Sequence, residues 1–425
     1  MTADTGNGRA ISRRRFLAAA GAIGASAALG AGGYAIATRV ATHGDTRALV
    51  PALVPFYGEH QAGIATPPQD RLLFASFDVT TGDRRELQDL LRGWTAAAAR
   101  MTAGQPVSDS AASAVTPLGD NGDADGLAQS RLTITFGFGP SLFQQDGRDR
   151  FGIAARRPAA LIDMPAFPKD ALDPARSQGD LGVQVCAEDS QVALQAMRNL
   201  TRAGVGAVTM KWSQLGFGRT SSASTPRQAL RNLQGFKDGT NNVKGEDGAA
   251  MNEHVWVAQR DGPGWMRGGS YMVTRRIRML IEAWDRSTLS DQEHTIGRVK
   301  ASGAPLGGSA ESDTPDLAAR GANGSYVIPA DAHIRLASPA MNGGHRILRR
   351  GYSFTDSTDP ATGQPDSGLF LIAFQRDPRT QFVPIQQRLA SHDALNKYIQ
   401  HVGSAIFACP PGVSPGESIG DALFV

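Results

Sequence analysis

The stretch Leu72-Leu73-Phe74-Ala75-Ser76-Phe77-Asp78-Val79, followed after a short turn by Arg84-Arg-Glu-Leu-Gln-Asp-Leu-Leu-Arg-Gly-Trp94, sets the pattern for the whole chain. The first run is short, apolar and aromatic, as a buried strand requires. The second places Leu87, Leu90, Leu91 and Trp94 at helical spacing, so an amphipathic helix is expected over Arg84–Met101. Residues 102–130 are rich in Ser, Ala, Gly and Asp and read as a surface loop. Beyond them come strands at Leu132–Phe138 and Leu181–Ala187, a helix over Gln191–Arg202 and a strand at Ala207–Trp212. The order is βαββαβ, the ferredoxin-like arrangement with an antiparallel sheet and both helices on one face.

The same order repeats downstream with longer interruptions. Ser270–Ile281 reads as a strand, and Ser290-Asp-Gln-Glu293 has the form of a capping box opening a short helix. Strands follow at Ile347–Phe354 and Leu369–Gln375, then a helix near Gln381–His401 and a last strand at Ser404–Cys409. The chain therefore reads as an α+β protein of two ferredoxin-like domains, the first over 46–218 and the second over 219–425. Connections at 220–252 and 300–346 are too long for passive turns inside a compact domain and are expected to carry function.

The first 37 residues read as an address rather than as fold. Ser12-Arg13-Arg14-Arg15-Phe16-Leu17 has the twin-arginine form, and an uncharged run rich in Ala and Gly continues to Ala37. A transmembrane anchor is the second reading of that run, which is long enough to cross a bilayer. The expected location is outside the cytoplasm, extracellular or in the periplasm and cell envelope, with the twin-arginine translocase as a partner during export. Because that pathway carries folded proteins, it suits a chain that acquires a cofactor before leaving the cell. Arg9, Arg13, Arg14 and Arg15 against Asp4 give the leader +3. Since the whole chain has 43 basic and 40 acidic residues, 39 of each remain beyond it. A neutral mature chain gives no case for nucleic-acid binding. The two cysteines, Cys186 and Cys409, lie in apolar runs without metal-ligand spacing and read as buried free thiols.

Chemistry concentrates in the two long connections. Gly235-Phe-Lys-Asp238-Gly239-Thr-Asn-Asn242 sets one carboxylate in a glycine-flanked turn where backbone can approach a flat ligand closely. Asp331-Ala-His333-Ile-Arg335-Leu-Ala-Ser-Pro339 holds a histidine on what reads as a short extended segment, and Leu348-Arg349-Arg350-Gly-Tyr352-Ser-Phe354 carries two arginines on a strand. A histidine, an arginine and an aspartate are the side chains a haem peroxidase needs: one axial imidazole, one proton carrier and one fixed cation. Successive strand residues face opposite ways, so only one of Arg349 and Arg350 can enter a pocket.

These three motifs, in this order, resemble the dye-decolorizing peroxidase family. His60-Gln-Ala-Gly-Ile-Ala-Thr-Pro67, Leu132-Thr-Ile-Thr-Phe-Gly-Phe-Gly-Pro140 and Gly303-Ala-Pro-Leu306 agree with it. The likeness runs from about residue 55 to the C-terminus, and the branch it resembles is the exported one of deferrochelatase-type peroxidases of iron-uptake operons. The resemblance implies two ferredoxin-like halves forming a dimeric α+β barrel-type fold with one haem b per chain, held mainly by the second half. It implies a peroxidase that reduces hydrogen peroxide through a ferryl intermediate and oxidises dyes or other bulky reductants, the physiological reductant being unidentified.

By the same resemblance His333 is the proximal ligand, Asp238 the distal proton carrier and Arg349 the distal cation. Arg350 is then a surface or ion-pair residue. Gly235 and Gly239 shape the haem-facing turn, Phe370 and Phe374 wall the distal pocket or simply fill core, and Arg335 reaches a haem propionate or lies exposed on its strand. Read from its own sequence, Asp377, which precedes a proline, is either the acceptor for the second ring nitrogen of His333 or the cap of an ordinary turn. His60, His254, His294, His345, His392 and His401 are the alternative ligands, but they lie outside the ligand motif and read as surface, packing or supporting groups. Two other activities fit the same residues: iron release from haem, and haem binding or delivery without catalysis. Oligomeric state is not fixed by these motifs.

Overall fold

The computed structural model describes residues 53–108, 119–219, 230–359 and 363–425; the leader and the start of the first expected domain lie outside them. Among the described residues, eight strands, with the helices between them, follow the order expected. They are β1 (Arg71–Val79), β2 (Thr133–Phe138), β3 (Leu181–Ala187), β4 (Val208–Arg219), β5 (Ser270–Met279), β6 (Leu348–Thr358), β7 (Pro365–Gln375) and β8 (Ile399–Cys409). They close into one barrel in the order β1-β3-β2-β8-β5-β7-β6-β4, with every pair antiparallel. Each half contributes its fourth, first, third and second strand in that sequence, which is ferredoxin-like topology used twice. The two joins between halves are narrow. β2 meets β8 at one pair, Phe138 with Ala408, and β4 meets β6 at Phe217–Ser353 and Arg219–Tyr352.

On the outer face of the first half lie α1 (Arg84–Thr102) and α2 (Ser190–Ala203), each opened by an aspartate cap, Asp83 and Asp189. They bury Leu87, Leu90, Leu91, Trp94, Val192 and Leu200 against Leu73, Ala75 and Phe77 of β1. The capping box expected at Ser290 is displaced: α3 (Leu289–Ile296) is capped by Thr288, whose hydroxyl accepts from the Asp291 N–H. The last helix is also shorter than expected, α4 spanning Phe382–His392, and the chain leaves it through Asp393 into a single 3-10 turn before β8.

Phe74, Phe370 and Phe407 meet inside the barrel at ring separations of 5.5 and 5.9 Å, although β1 touches neither β7 nor β8 in the sheet order. Those contacts cross the lumen and define its apolar filling, to which Leu72, Met272, Leu348, Tyr352, Ile372 and Phe374 belong. The segment before β1 plugs one end. Ile64 is buried in this cluster, and Gln61 donates to the carbonyls of Phe136 and Pro410. Both cysteines are buried free thiols, and among the described residues no helix is long and apolar enough to cross a membrane.

Candidate active site

His333 opens a one-turn helix (His333–Leu336) rather than lying on an extended segment. The backbone before it is tied down by the Ala394 N–H, which donates to the Asp331 carbonyl. The acceptor that orients the ring is Asp393, not Asp377: His333 Nδ1 lies 2.6 Å from Asp393 Oδ2. A carboxylate only accepts, so the proton sits on Nδ1 and Nε2 keeps its lone pair for a metal. Asp393 is 2% exposed, and its other oxygen accepts the Leu395 N–H at 2.8 Å, which holds the carboxylate in place. Asp377 is instead committed to Arg379 at 2.7 Å on the surface. Burial pulls the His333 pKa down, but the Asp393 charge and hydrogen bond outweigh it and the value ends above that of an ordinary histidine. The His333 side chain is 34% exposed, and Asp393 occupies its Nδ1.

The Arg349 and Asp238 charges also act on this imidazole, the first lowering and the second raising its pKa. They form a pair of their own, with Arg349 Nη1 2.5 Å from Asp238 Oδ1. The Asp238 turn is built by Asn232, whose side-chain oxygen accepts from the N–H groups of Gln234 and Phe236. Gly235 and Gly239, at φ +82° and +90°, supply the left-handed backbone it requires. A Cβ on Gly235 would sit 2.7 Å from Lys300 Cε, so this glycine makes room for a lysine stem rather than for a ligand. Arg231 ties the turn to the 298–311 segment through the carbonyls of Lys300 and Ala301. Glu311 accepts from Lys237 at 2.6 Å and Thr240 at 3.0 Å. Phe236, Trp284, Ile296 and Leu395 pack together with Ile334, so one apolar cluster joins the Asp238 turn to the His333 helix.

Strand register settles which side chains share the Arg349 face. Arg349 pairs with Ala373, whereas Leu348 pairs with Phe374, Arg350 with Ile372 and Tyr352 with Phe370. Cross-strand partners point the same way, so Phe370 and Phe374 fill the barrel interior on the opposite side from Arg349 and do not wall the distal region. Leu369 and Leu371 share the Arg349 face, and are only half-buried in a strand whose inward residues are sealed. Arg350 is likewise not on the surface. It is 1% exposed, donating to the Thr66 carbonyl at 2.6 Å and to Gln69 Oε1 at 2.5 Å, and so anchors the plug segment. Arg335 is buried rather than exposed, its Nε and Nη2 donating to the carbonyls of Leu317, Ile328 and Pro329 and its guanidinium stacked 4.3 Å from the Tyr326 ring. It locks the loop entering the His333 helix.

An imidazole whose Nδ1–H is held by a carboxylate offers one bond, from Nε2, to the iron of a porphyrin. The Asp238–Arg349 pair and the leucine-lined sheet face suit the opposite side and the edge of such a flat, apolar ligand. The residues present therefore fit haem. A barrel of two ferredoxin-like halves carrying this set is the architecture of a peroxidase. Comparison with known proteins makes the assignment specific: the family model for the Dyp-type peroxidase N-terminal part matches residues 61–218, and that for the C-terminal part matches 229–414. The chain belongs to the Dyp-type peroxidase family and is an oxidoreductase acting on peroxide.

Among its relatives, a protein named Deferrochelatase from Escherichia coli K12 is 38% identical over 375 residues, 87% of this chain and 86% of that protein. Its namesake from Shigella boydii matches to the same extent. A DyP-type peroxidase from Streptomyces coelicolor superposes with a TM-score of 0.80 at 40% identity, covering 88% of this chain and 97% of that one. A structure described as ferric DtpA from Streptomyces lividans gives the same values.

Proposed function

We propose that this chain is exported folded and works outside the cytoplasm as a haem b peroxidase in which His333 ligates the iron, Asp238 moves the peroxide proton and Arg349 holds the charge that develops on oxygen. The observation that carries the reading is the bond from His333 Nδ1 to Asp393, which leaves Nε2 for a metal, together with the Asp238–Arg349 pair, whose charges act on the same imidazole. Bound haem would supply the redox chemistry that cleaves the O–O bond and stores the oxidising equivalents. The protein's part is positional and electrostatic. Asp393 accepts the hydrogen bond from Nδ1–H and makes the imidazole a stronger donor. Asp238 takes a proton from the peroxide oxygen that will stay bound and returns it to the oxygen that leaves, so that the leaving group departs as water. Arg349, already oriented by that carboxylate, stabilises the negative charge built up in between. Electrons then come from a reductant, a dye or another bulky donor. Stopped-flow mixing of the haem-loaded protein with peroxide tests the reading: Asp238→Asn and Arg349→Ala must each slow the first spectral change, and parent rates in both would overturn the assignment.

A second reading, iron release from haem with the tetrapyrrole left intact, is favoured by the likeness to proteins named Deferrochelatase. Its signature is porphyrin fluorescence accumulating after incubation with haem. Export rests on the twin-arginine leader, with the translocase as the partner that leader implies. Lysine at both Arg13 and Arg14 should leave the protein in the cytoplasm, and unimpaired export would remove the pathway from the account.

A further inference from the structure

We infer that Asn242 is the positioning residue that fixes Arg349 for reaction, an inference that rests on the distal role of Arg349 proposed above. Asn242 is 2% exposed and uses both ends of its side-chain amide on one peptide group. The Arg349 N–H donates to Asn242 Oδ1 at 2.8 Å, and Asn242 Nδ2 donates to the Arg349 carbonyl at 2.7 Å. This pair of bonds is what a neighbouring strand would make, and among the described residues none is there to make it. At Arg349 the β6 strand has β7 on one edge, while β4 reaches its other edge only at Tyr352 and Ser353. The Asn242 amide therefore stands in for a ladder partner at the residue whose side chain does the chemistry.

The clamp also closes a circuit. The Asn242 N–H donates to the carbonyl of Gly239, next to Asp238, at 3.2 Å, and Asp238 Oδ1 accepts from Arg349 Nη1 at 2.5 Å. Backbone of the distal turn, backbone of the strand and the ion pair between their side chains are thus held in one closed loop of bonds. A shift of β6 relative to the turn would move the guanidinium away from Asp238 and from any anion bound between them. Arg346 adds to the restraint, its Nη2 donating to the Asn242 carbonyl at 3.2 Å.

The test uses fluoride as the probe, because a small anion on ferric haem takes a charge-assisted hydrogen bond from a distal cation and reports its placement without turnover. Asn242→Asp keeps an acceptor for the Arg349 N–H but loses the donor and sets a carboxylate against the Arg349 carbonyl. In the full-length haem-loaded protein it should weaken fluoride binding about tenfold, the factor one net hydrogen bond is worth. Haem content and the absorption spectrum set by the His333 ligand should stay as in the parent. On an Arg349→Ala background the same substitution should change fluoride affinity no further, which a general structural defect would not produce.

Unchanged fluoride affinity in Asn242→Asp, where Arg349→Ala weakens it, overturns the inference. An equal loss on both backgrounds overturns it too. If Arg349→Ala leaves fluoride affinity untouched, the distal assignment fails instead. Should Asn242→Asp not fold, Asn242→Ser, which can serve one of the two peptide groups but not both, is read by the same criteria.

Discussion

Replacing Asp393 by Asn tests how the proximal side is built. The carboxylate is 2% exposed and lies 2.6 Å from His333 Nδ1, so the interaction is short, charge-assisted and shielded from water. Asn is isosteric and can still accept the Leu395 N–H that Asp393 Oδ1 accepts at 2.8 Å, so the turn after α4 should survive. What changes is the strength of the bond to the ring and, if the amide presents its NH₂ group, the tautomer itself. A proton driven onto Nε2 removes the lone pair that iron needs. Removing a partner of this kind from a metal-bound histidine typically costs about 10- to 100-fold in affinity. Titration of the haem-free protein with haem, followed by absorption, should show a loss in that range for Asp393→Asn and none for Asp377→Asn, because Asp377 serves Arg379 at the surface. Equal affinities for the parent and Asp393→Asn would refute the reasoning. So would a loss in Asp377→Asn matching that in Asp393→Asn.

Other outcomes follow from the same geometry. Asp238→Asn and Arg349→Ala should each reduce the second-order constant with peroxide by about 10² or more, the usual contribution of a placed proton carrier or a preorganised cation, while haem content holds. Phe370→Ala should destabilise the fold by about 3 kcal/mol or more, as loss of a sealed aromatic does. It should spare peroxide reactivity in what remains folded, whereas Leu371→Ala, read by denaturant unfolding and haem titration, should cost little stability and weaken haem binding. Burial, with the Arg275 cation beside it, pushes the His401 pKa down to about 3. Between that value and the ordinary histidine value the unfolded chain binds the extra proton, so stability must fall as pH drops through this window. His401→Gln should remove up to about 1.4 kcal/mol per pH unit from that slope in denaturant unfolding.

Much of the barrel was legible because its determinants are local. The strand at Leu72–Val79 and the helix with Leu87, Leu90 and Leu91 on one face declare themselves through apolar spacing, and the second half repeats the order. The His333, Asp238 and Arg349 motifs could be picked out because glycines and short signatures frame them. Partnerships across long separations could not. Asp393 lies 60 residues from His333 along the chain and 16 beyond Asp377, and nothing in its own neighbourhood distinguishes it from an ordinary turn aspartate. Phe370 and Phe374 were placed by alternation alone, which says that two residues share a face but not which face carries the site. That needed the pairing of Arg349 with Ala373. Arg335 and Arg350 illustrate a further limit: strand and loop arginines are usually solvated, and it takes distant partners such as the carbonyls of Leu317, Ile328 and Thr66 to explain why these two are buried.

The central claim is that iron porphyrin is held by His333 beneath the Asp238–Arg349 pair. It is met most directly by the absorption spectrum of the purified haem-reconstituted chain before and after one equivalent of hydrogen peroxide, with His333→Ala alongside. The account predicts a histidine-ligated ferric spectrum that shifts within the mixing experiment in the parent, and no stably bound haem in the variant. A parent chain that takes up no haem, or a variant whose spectrum and peroxide response match the parent's, would contradict it.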